Sequence, residues 1–161
     1  MKRLMRGITL VELVITIVII SIAMVASVSS FSVITGRTAN AMVQTRSLEL
    51  AQLYLDEILA RRFDEASDPT GIPTYTGACR ITDDGENRGQ YDDVDDFHGL
   101  SESPPALIDL PAEADYSGFR VDVAVVCDNG VGTNGAAKRI TVTITAPDGS
   151  QSPFSAYRGN F

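Results

Sequence analysis

The sequence has few of the side chains that enzymes use for catalysis. Its 161 residues include one histidine, His98, and two cysteines. A single histidine cannot build a multi-histidine metal site, and no serine or cysteine signature of a nucleophile accompanies it. Carboxylates are plentiful, but on hydrophilic loops we expect them to keep ordinary pKa values and not to form acid–base pairs. The sequence therefore predicts a protein that is not an enzyme and uses no cofactor.

Basic residues are scarce as well. The chain has 13 lysines and arginines against 21 acidic residues, which gives a formal net charge of −8. Nucleic-acid binding needs a cationic surface that replaces counterions, so the composition argues against a nucleic-acid partner. The length allows one modest domain together with an anchor.

One long apolar run dominates the N-terminal end. Residues 8–28 are apolar or small hydroxyl residues, and Glu12 is their only charge. About twenty such residues match a bilayer core about 30 Å thick. Basic side chains precede the run and none follows until Arg37, which predicts a cytoplasmic N-terminus and a head outside the cytoplasm. A carboxylate inside a membrane span is costly, so Glu12 is expected to mark a functional contact.

The sequence Gly-Ile-Thr-Leu-Val-Glu-Leu at residues 7–13 resembles the N-terminal signature of type IV pilins and pseudopilins. That family has a short basic leader ending in glycine, a hydrophobic first mature residue and a glutamate at the fifth mature position. The resemblance implies that a prepilin peptidase removes residues 1–7 by cutting between Gly7 and Ile8, and that Ile8 is then N-methylated. It also implies that Glu12 pairs with the N-terminal amine of its own or a neighbouring subunit during assembly.

The sequence differs from the family pattern at two positions. The first mature residue is Ile8, where the family commonly has phenylalanine, and Ser29 stands where many major pilins have a proline. A proline-induced break in the helix is therefore not expected at that point. The alternatives are a secretory signal cut near residues 25–27, or a plain membrane anchor that contains a chance glutamate.

Beyond Arg37 the pattern becomes that of an amphipathic helix. Apolar residues recur at three- and four-residue spacing and are expected to face a sheet. These residues are Leu48, Ala51, Leu55, Ile58 and Leu59. The helix should end near Arg62 or Phe63, before the stop signal Asp68-Pro69, and we assign residues 29–66 to this continuation.

The remaining residues, 67–161, are predicted to form a globular head. Residues 67–117 are dense in glycine, proline, aspartate and serine, so regular structure there should be short. The expected exception is a strand near Tyr75 or within residues 78–81.

Alternating patterns predict an antiparallel hairpin in the C-terminal part of the head. Residues 119–125 and 138–145 alternate between apolar and polar side chains. Residues 147–150 form a turn signal, and residues 154–157 are expected to add a third strand. One long helix packed on a small antiparallel sheet is an α+β fold, which is also the architecture that the pilin resemblance implies.

The two cysteines, Cys79 and Cys127, both follow the apolar run. In an oxidising periplasm a single disulfide between them is the favoured interpretation. Two buried free thiols are the alternative.

Carboxylates concentrate in residues 83–86 and 91–99. Hard oxygen ligands of this kind can bind Ca²⁺, but the glycine and glutamate positions of an EF-hand loop are missing. A solvated acidic loop is the favoured interpretation and no metal site is assigned. Residues 128–134 could also supply oxygen ligands, although the chemistry of a hairpin turn explains them.

Four further stretches are similar to the minor pilins of the mannose-sensitive haemagglutinin (MSHA) type IV pilus: residues 55–59, 62–65, 91–99 and 154–161. The implied partners are other pilin subunits, prepilin peptidase, the inner-membrane assembly machinery and the membrane itself. The implied location is the inner membrane, with a periplasmic head, and later the pilus. The alternatives are a pseudopilin of a secretion or DNA-uptake machine and a membrane-anchored binding module.

Overall fold

The computed structural model describes residues 9–68, 70, 74–82, 84–106, 115–128, 130–131 and 137–160, with the side chains of residues 30–39 excepted. The elements in chain order are α1 (Leu10–Leu59), a 3-10 helix (Asp95–Phe97), β1 (Ser101–Glu102), β2 (Arg120–Asp128), β3 (Ala137–Thr145) and β4 (Gln151–Gly159). The chain divides into two units, Met1–Met42 and Val43–Phe161. The predicted α+β class is confirmed.

The first unit is helical from Leu10 onward. Within α1, Leu10–Ser29 is long and apolar enough to cross a membrane, and its side chains are exposed. The helix contains no proline, and it passes through both Ser29 and Gly36. The absence of a break at Ser29 agrees with the expectation from the sequence.

The second unit contains a four-stranded antiparallel sheet with the order β1-β2-β3-β4. The β2–β3 hairpin and the additional C-terminal strand are confirmed, whereas the two-residue β1 was not predicted. In register, Val123 pairs with Val142, and Val142 pairs with Phe154. Between β3 and β4 the turn closes through the Ala146 amide, which donates to the Ser150 carbonyl at 2.9 Å.

The predicted strand near Tyr75 or within residues 78–81 is wrong, because residues 74–82 contain no strand. Residues 74–82 are held by a disulfide and by side-chain hydrogen bonds, and not by backbone pairing with a strand. Cys79 forms a disulfide, and the Asn160 side chain bonds both the backbone amide and the carbonyl of Tyr75 at 3.1 and 2.6 Å. Elsewhere in the described part of residues 67–117, regular structure is short, as expected.

Four of the five apolar residues predicted to face the sheet pack in the core, with Leu55 and Leu59 partly buried, and Leu48 is the one predicted wrongly. Leu48 is 44% exposed, while Leu50 and Tyr54, which the prediction omitted, are fully buried. Ala51 and Ile58 are buried as predicted. The sequence from residue 48 to 59 has apolar side chains on more than one face of the helix, so spacing alone did not determine which face is inside. The sheet contributes Val121, Val123, Val125, Ile140, Val142 and Ile144 to the same core.

α1 ends at Leu59, slightly before the predicted end. The Ala60 and Arg61 amides still donate to carbonyls of the last helical turn, and from Arg62 onward the backbone bonds to the acidic segment, residues 91–99. The Arg62 amide donates to the Asp92 carbonyl, and the Val94 amide donates to the Arg62 carbonyl, both at 3.1 Å. The helix therefore stops where the chain begins to pair with residues 92–94.

Candidate functional site

Glu12 lies in the first turn of α1, on the exposed apolar unit. Thr9 caps this turn: its Oγ1 accepts a hydrogen bond from the Glu12 amide at 3.3 Å, and its carbonyl accepts one from the Leu13 amide at 3.1 Å. Among the residues that the structure describes, the Glu12 carboxylate has no ion-pair or hydrogen-bond partner. The carboxylate is therefore available to a partner outside the described chain.

Hydroxyl groups of the same span are satisfied within the helix. Each donates to a backbone carbonyl three or four residues earlier, at 2.8–3.0 Å. These residues are Thr16, Ser21, Ser27 and Ser29. Glu12 is thus the polar side chain of the span that most needs an external partner in an apolar environment.

The cleavage and methylation residues, Gly7 and Ile8, lie outside the described residues. The cut between them and the methylation of Ile8 therefore stay predictions that follow from the resemblance.

Cys79 and Cys127 form a disulfide across a sequence separation of 48 residues, with their Cα atoms 5.9 Å apart. Cys127 lies near the end of β2, so the disulfide fastens the strand-free segment around Cys79 to the sheet. This is the pairing that the oxidising compartment favours.

The expectation that the acidic segment is a solvated loop is wrong for its central part. Asp93 and Asp95 are each 3% exposed, and Phe97 and Val94 are fully buried. The 3-10 helix turns these side chains inward, so the segment forms part of the core of the head. Asp84, in the preceding carboxylate-rich stretch, is exposed and matches the solvated interpretation.

A fully buried lysine explains how these aspartates are accommodated. Lys138 Nζ lies 2.6 Å from Asp95 Oδ1 and 3.6 Å from Asp64 Oδ2, and it donates to the Phe63 carbonyl at 2.5 Å. The same ammonium sits 4.5 Å from the centroid of the Phe63 ring. A buried cation with this many acceptors ties β3 to the acidic segment and to the residues that follow α1.

Burial shifts the pKa values of these aspartates, contrary to the sequence expectation. Removal from water raises the pKa of Asp93 to about 6, and the nearby Asp95 and Asp96 add to the rise, whereas backbone amide donation and Lys138 oppose it. Burial also raises the pKa of Asp95, although its ion pair with Lys138 acts in the opposite direction.

A second charged network joins the acidic segment to α1. Arg88 donates two hydrogen bonds to the Glu57 carboxylate, at 2.8 and 2.6 Å, and one to Glu102 at 3.1 Å. Its guanidinium also lies over the rings of Tyr91 and Phe97, at 5.4 and 5.0 Å from their centroids. The bidentate geometry fixes this segment against the helix.

The carboxylates of Asp84, Glu86 and Asp96 come within 4.8 Å of one another. Asp96 Oδ2 already accepts hydrogen bonds from the Asp92 and Asp93 amides, at 2.9 and 3.0 Å. These bonds shape the local turn and account for the inward position of Asp96. Exposed acidic groups commonly cluster in this way without a cation, so we assign no metal to these three residues.

His98 is exposed, and its Nδ1 accepts a hydrogen bond from the Val125 amide at 3.1 Å. This contact ties the end of the acidic segment to β2.

Sequence reasoning missed the role of Lys138, although a signal for it was present. In β3 the lysine is in phase with Ile140 and Val142, so the alternation that buries the apolar residues also buries the lysine. A charged residue in phase with a buried face predicts a buried partner of opposite charge. Which aspartates supply the partner depends on the tertiary fold.

Comparison with known proteins identifies the N-terminal motif. A family model described as the prokaryotic N-terminal methylation motif matches residues 2–28. No curated protein and no solved structure matches the chain. The motif together with the fold makes the chain similar to type IV pilins and pseudopilins, which are structural subunits. The motif implies prepilin peptidase and pilus or secretion machinery as partners, and anchoring in the inner membrane before assembly.

Proposed function

We propose that the chain is the precursor of a minor pilin of a type IV pilus, similar to the MSHA biogenesis protein MshD. Prepilin peptidase removes residues 1–7 by cutting between Gly7 and Ile8, and Ile8 is N-methylated. Residues 8–28 hold the protein in the inner membrane with its head, residues 67–161, in the periplasm. The subunit then enters the pilus or its initiation complex.

The observation that carries this proposal is the exposed Glu12 carboxylate on an otherwise apolar helix. An ionised carboxylate in a membrane is costly unless it is paired, and the neighbouring hydroxyls already use their hydrogen bonds within α1. The N-terminal amine of an adjacent subunit is a partner of the right charge. Formation of that pair would favour transfer of the helix from lipid to a bundle of subunits.

The assignment to an MSHA-type pilus is supported by the sequence similarity of residues 55–59, 62–65, 91–99 and 154–161. In the structure, residues 55–59 form the end of α1, residues 91–99 form the buried acidic segment, and residues 154–161 include most of β4. A pseudopilin shares the N-terminal motif and is the alternative that any test has to separate.

Mass spectrometry of the mature N-terminus tests the proposal in its native host. We expect a chain that begins at Ile8 and carries one methyl group, recovered both from membranes and from sheared pili. A Gly7→Asp variant should remain the full precursor. Recovery from membranes alone, with no chain in sheared pili, would favour the pseudopilin. A chain that begins after residues 25–27 would overturn the pilin proposal altogether.

A further inference from the structure

Among the described residues, the interior of the head contains three aspartate carboxylates and the ammonium of one lysine. Asp64, Asp93 and Asp95 are 6%, 3% and 3% exposed, and Lys138 is fully buried. The lysine is close to two of them, Asp95 and Asp64. If all three carboxylates were ionised, the buried group would carry excess negative charge, which is costly away from water.

Asp93 is the carboxylate that has the weakest compensation. Its Oδ1 accepts hydrogen bonds from the Asp95 and Asp96 amides, at 2.6 and 3.4 Å, but no cation lies within ion-pair distance of it among the described residues. A proton on Asp93 therefore relieves the excess charge at the least cost in lost contacts.

We propose that Asp93 makes the packing of the acidic segment sensitive to pH. With Asp93 protonated, at mildly acidic pH, the segment packs tightly against the head, and when Asp93 loses its proton at higher pH the segment loosens.

The surroundings of Asp93 favour a response to pH. Charged groups face it from each neighbouring part of the head, and a cleft of about 280 Å³ adjoins it. The groups are Arg62, Asp64 and Glu65 after α1, Arg80 and Asp84 in the preceding segment, Asp92, Asp95 and Asp96 in its own segment, and Lys138 in β3. Carboxylates outnumber cations in this set, so ionisation of Asp93 adds repulsion, and the cleft offers the new charge a route to water.

Asp93 lies where a change in its charge can affect the backbone hydrogen bonds of the acidic segment. Arg62 and Asp93 pair as a parallel bridge, and Arg62 bonds the backbone on both sides of Asp93, at Asp92 and Val94. Val94 and Phe97, on the same segment, are fully buried in the core. Opening at Asp93 would therefore expose this segment to solvent.

The direction of the effect follows from the pKa of Asp93, which burial raises from 3.8 to about 6. Because the folded head binds this proton more strongly than the open segment does, the contribution to stability is full below about pH 4. It is lost as the pH rises through about 6. Between pH 5 and pH 8, opening of the segment should become about tenfold more favourable.

Native-state hydrogen exchange tests this inference on the full chain in detergent micelles, with protection factors corrected for the intrinsic dependence on pH. In the wild type, the protection of residues 91–99 should fall about tenfold from pH 5 to pH 8. In Asp93→Asn the carboxyl is replaced by a neutral isostere, so the fall should disappear. Asp84→Asn, an exposed residue on the same cleft, should retain it.

Two outcomes would overturn the inference. One is a wild-type segment whose protection does not change with pH, a result that needs no variant to fold. The other is a pH response of equal size in Asp93→Asn, which would assign the proton to a different group.

Discussion

Lys138 Nζ lies 2.6 Å from Asp95 Oδ1, and both side chains are shielded from solvent. This pair joins the central strand β3 to the acidic segment, which contains a 3-10 helix but no strand. The head therefore depends on an internal charge pair at the place where an apolar contact would be more usual. Buried pairs of this kind add little net stability, but removal of one partner is severe because it leaves the other charge uncompensated.

Lys138→Met should destabilise the head strongly for this reason. Loss of the ammonium leaves Asp95 and Asp64 without their cation, and we expect unfolding in denaturant to become easier by about 3–5 kcal/mol. The matched control is Arg139→Met, on the exposed face of the same strand, which should change the free energy by less than about 1 kcal/mol. Equal losses in both variants would contradict the importance of the buried pair.

Arg88→Met should also be destabilising, by about 2 kcal/mol, because it removes the cation that pairs with the partly buried Glu102 and leaves Glu57 only its pair with Arg61 at 3.5 Å. Arg88→Lys should recover only part of this, since a lysine cannot form the two parallel bonds to Glu57. Arg120→Met removes an exposed pair with Asp122 and should cost less than about 1 kcal/mol. Denaturant titration of the three variants ranks their losses in the free energy of unfolding. Full recovery of stability in Arg88→Lys would argue against the bidentate contact.

Removal of the disulfide should cost about 4 kcal/mol, given the 48-residue separation of the two cysteines. The double variant Cys79→Ser and Cys127→Ser is compared with the oxidised wild type by thermal unfolding. A reduced wild type should match the double variant. Equal melting temperatures for the oxidised and reduced forms would show that the loop is already fixed by other contacts, such as those between Asn160 and Tyr75.

Glu12→Ala should be processed normally but assemble poorly, because the helix loses the charge that attracts an amine from the next subunit. A lost contact worth only about 1.4 kcal/mol lowers incorporation about tenfold. Immunoblots of sheared pili and of membranes measure incorporation and processing separately. Glu49→Ala, on the exposed surface of α1 beyond the span, is the control that should leave both unchanged. Wild-type incorporation of Glu12→Ala would refute the assembly role.

The sheet was predictable because its physical cause is local. Strict alternation in β2 and β3 places Val121, Val123, Ile140 and Val142 on one face, and pairing follows from the intervening turn. The extent of α1 was predictable within a few residues for a similar reason. Which side chains of α1 face the sheet was not fully predictable. Leu48 and Leu50 are equally apolar, and only the position of the sheet determines that Leu50 is buried and Leu48 exposed.

The acidic segment was not predictable from its own residues. A run of aspartates is expected to be exposed to solvent unless a buried cation is known to pair with it. Here that cation is Lys138, which is distant in the sequence. Phase analysis of β3 could have raised the question by placing Lys138 inside, but it could not have named Asp93 or Asp95 as the residues around it. The N-terminal motif, by contrast, is a local chemical signature and needs no tertiary structure to be recognised.

The inward-turned hydroxyls of α1 have a consequence for how the helix changes surroundings. Because Thr16, Ser21, Ser27 and Ser29 bond to their own backbone, their hydrogen bonds are the same in lipid and beside other helices. No directional bond has to break when the helix leaves one environment, and none fixes its rotation or register in the next. On the proposed function, the directional contact that aligns one subunit with the next is therefore the charge of Glu12, which adds to the packing of apolar side chains.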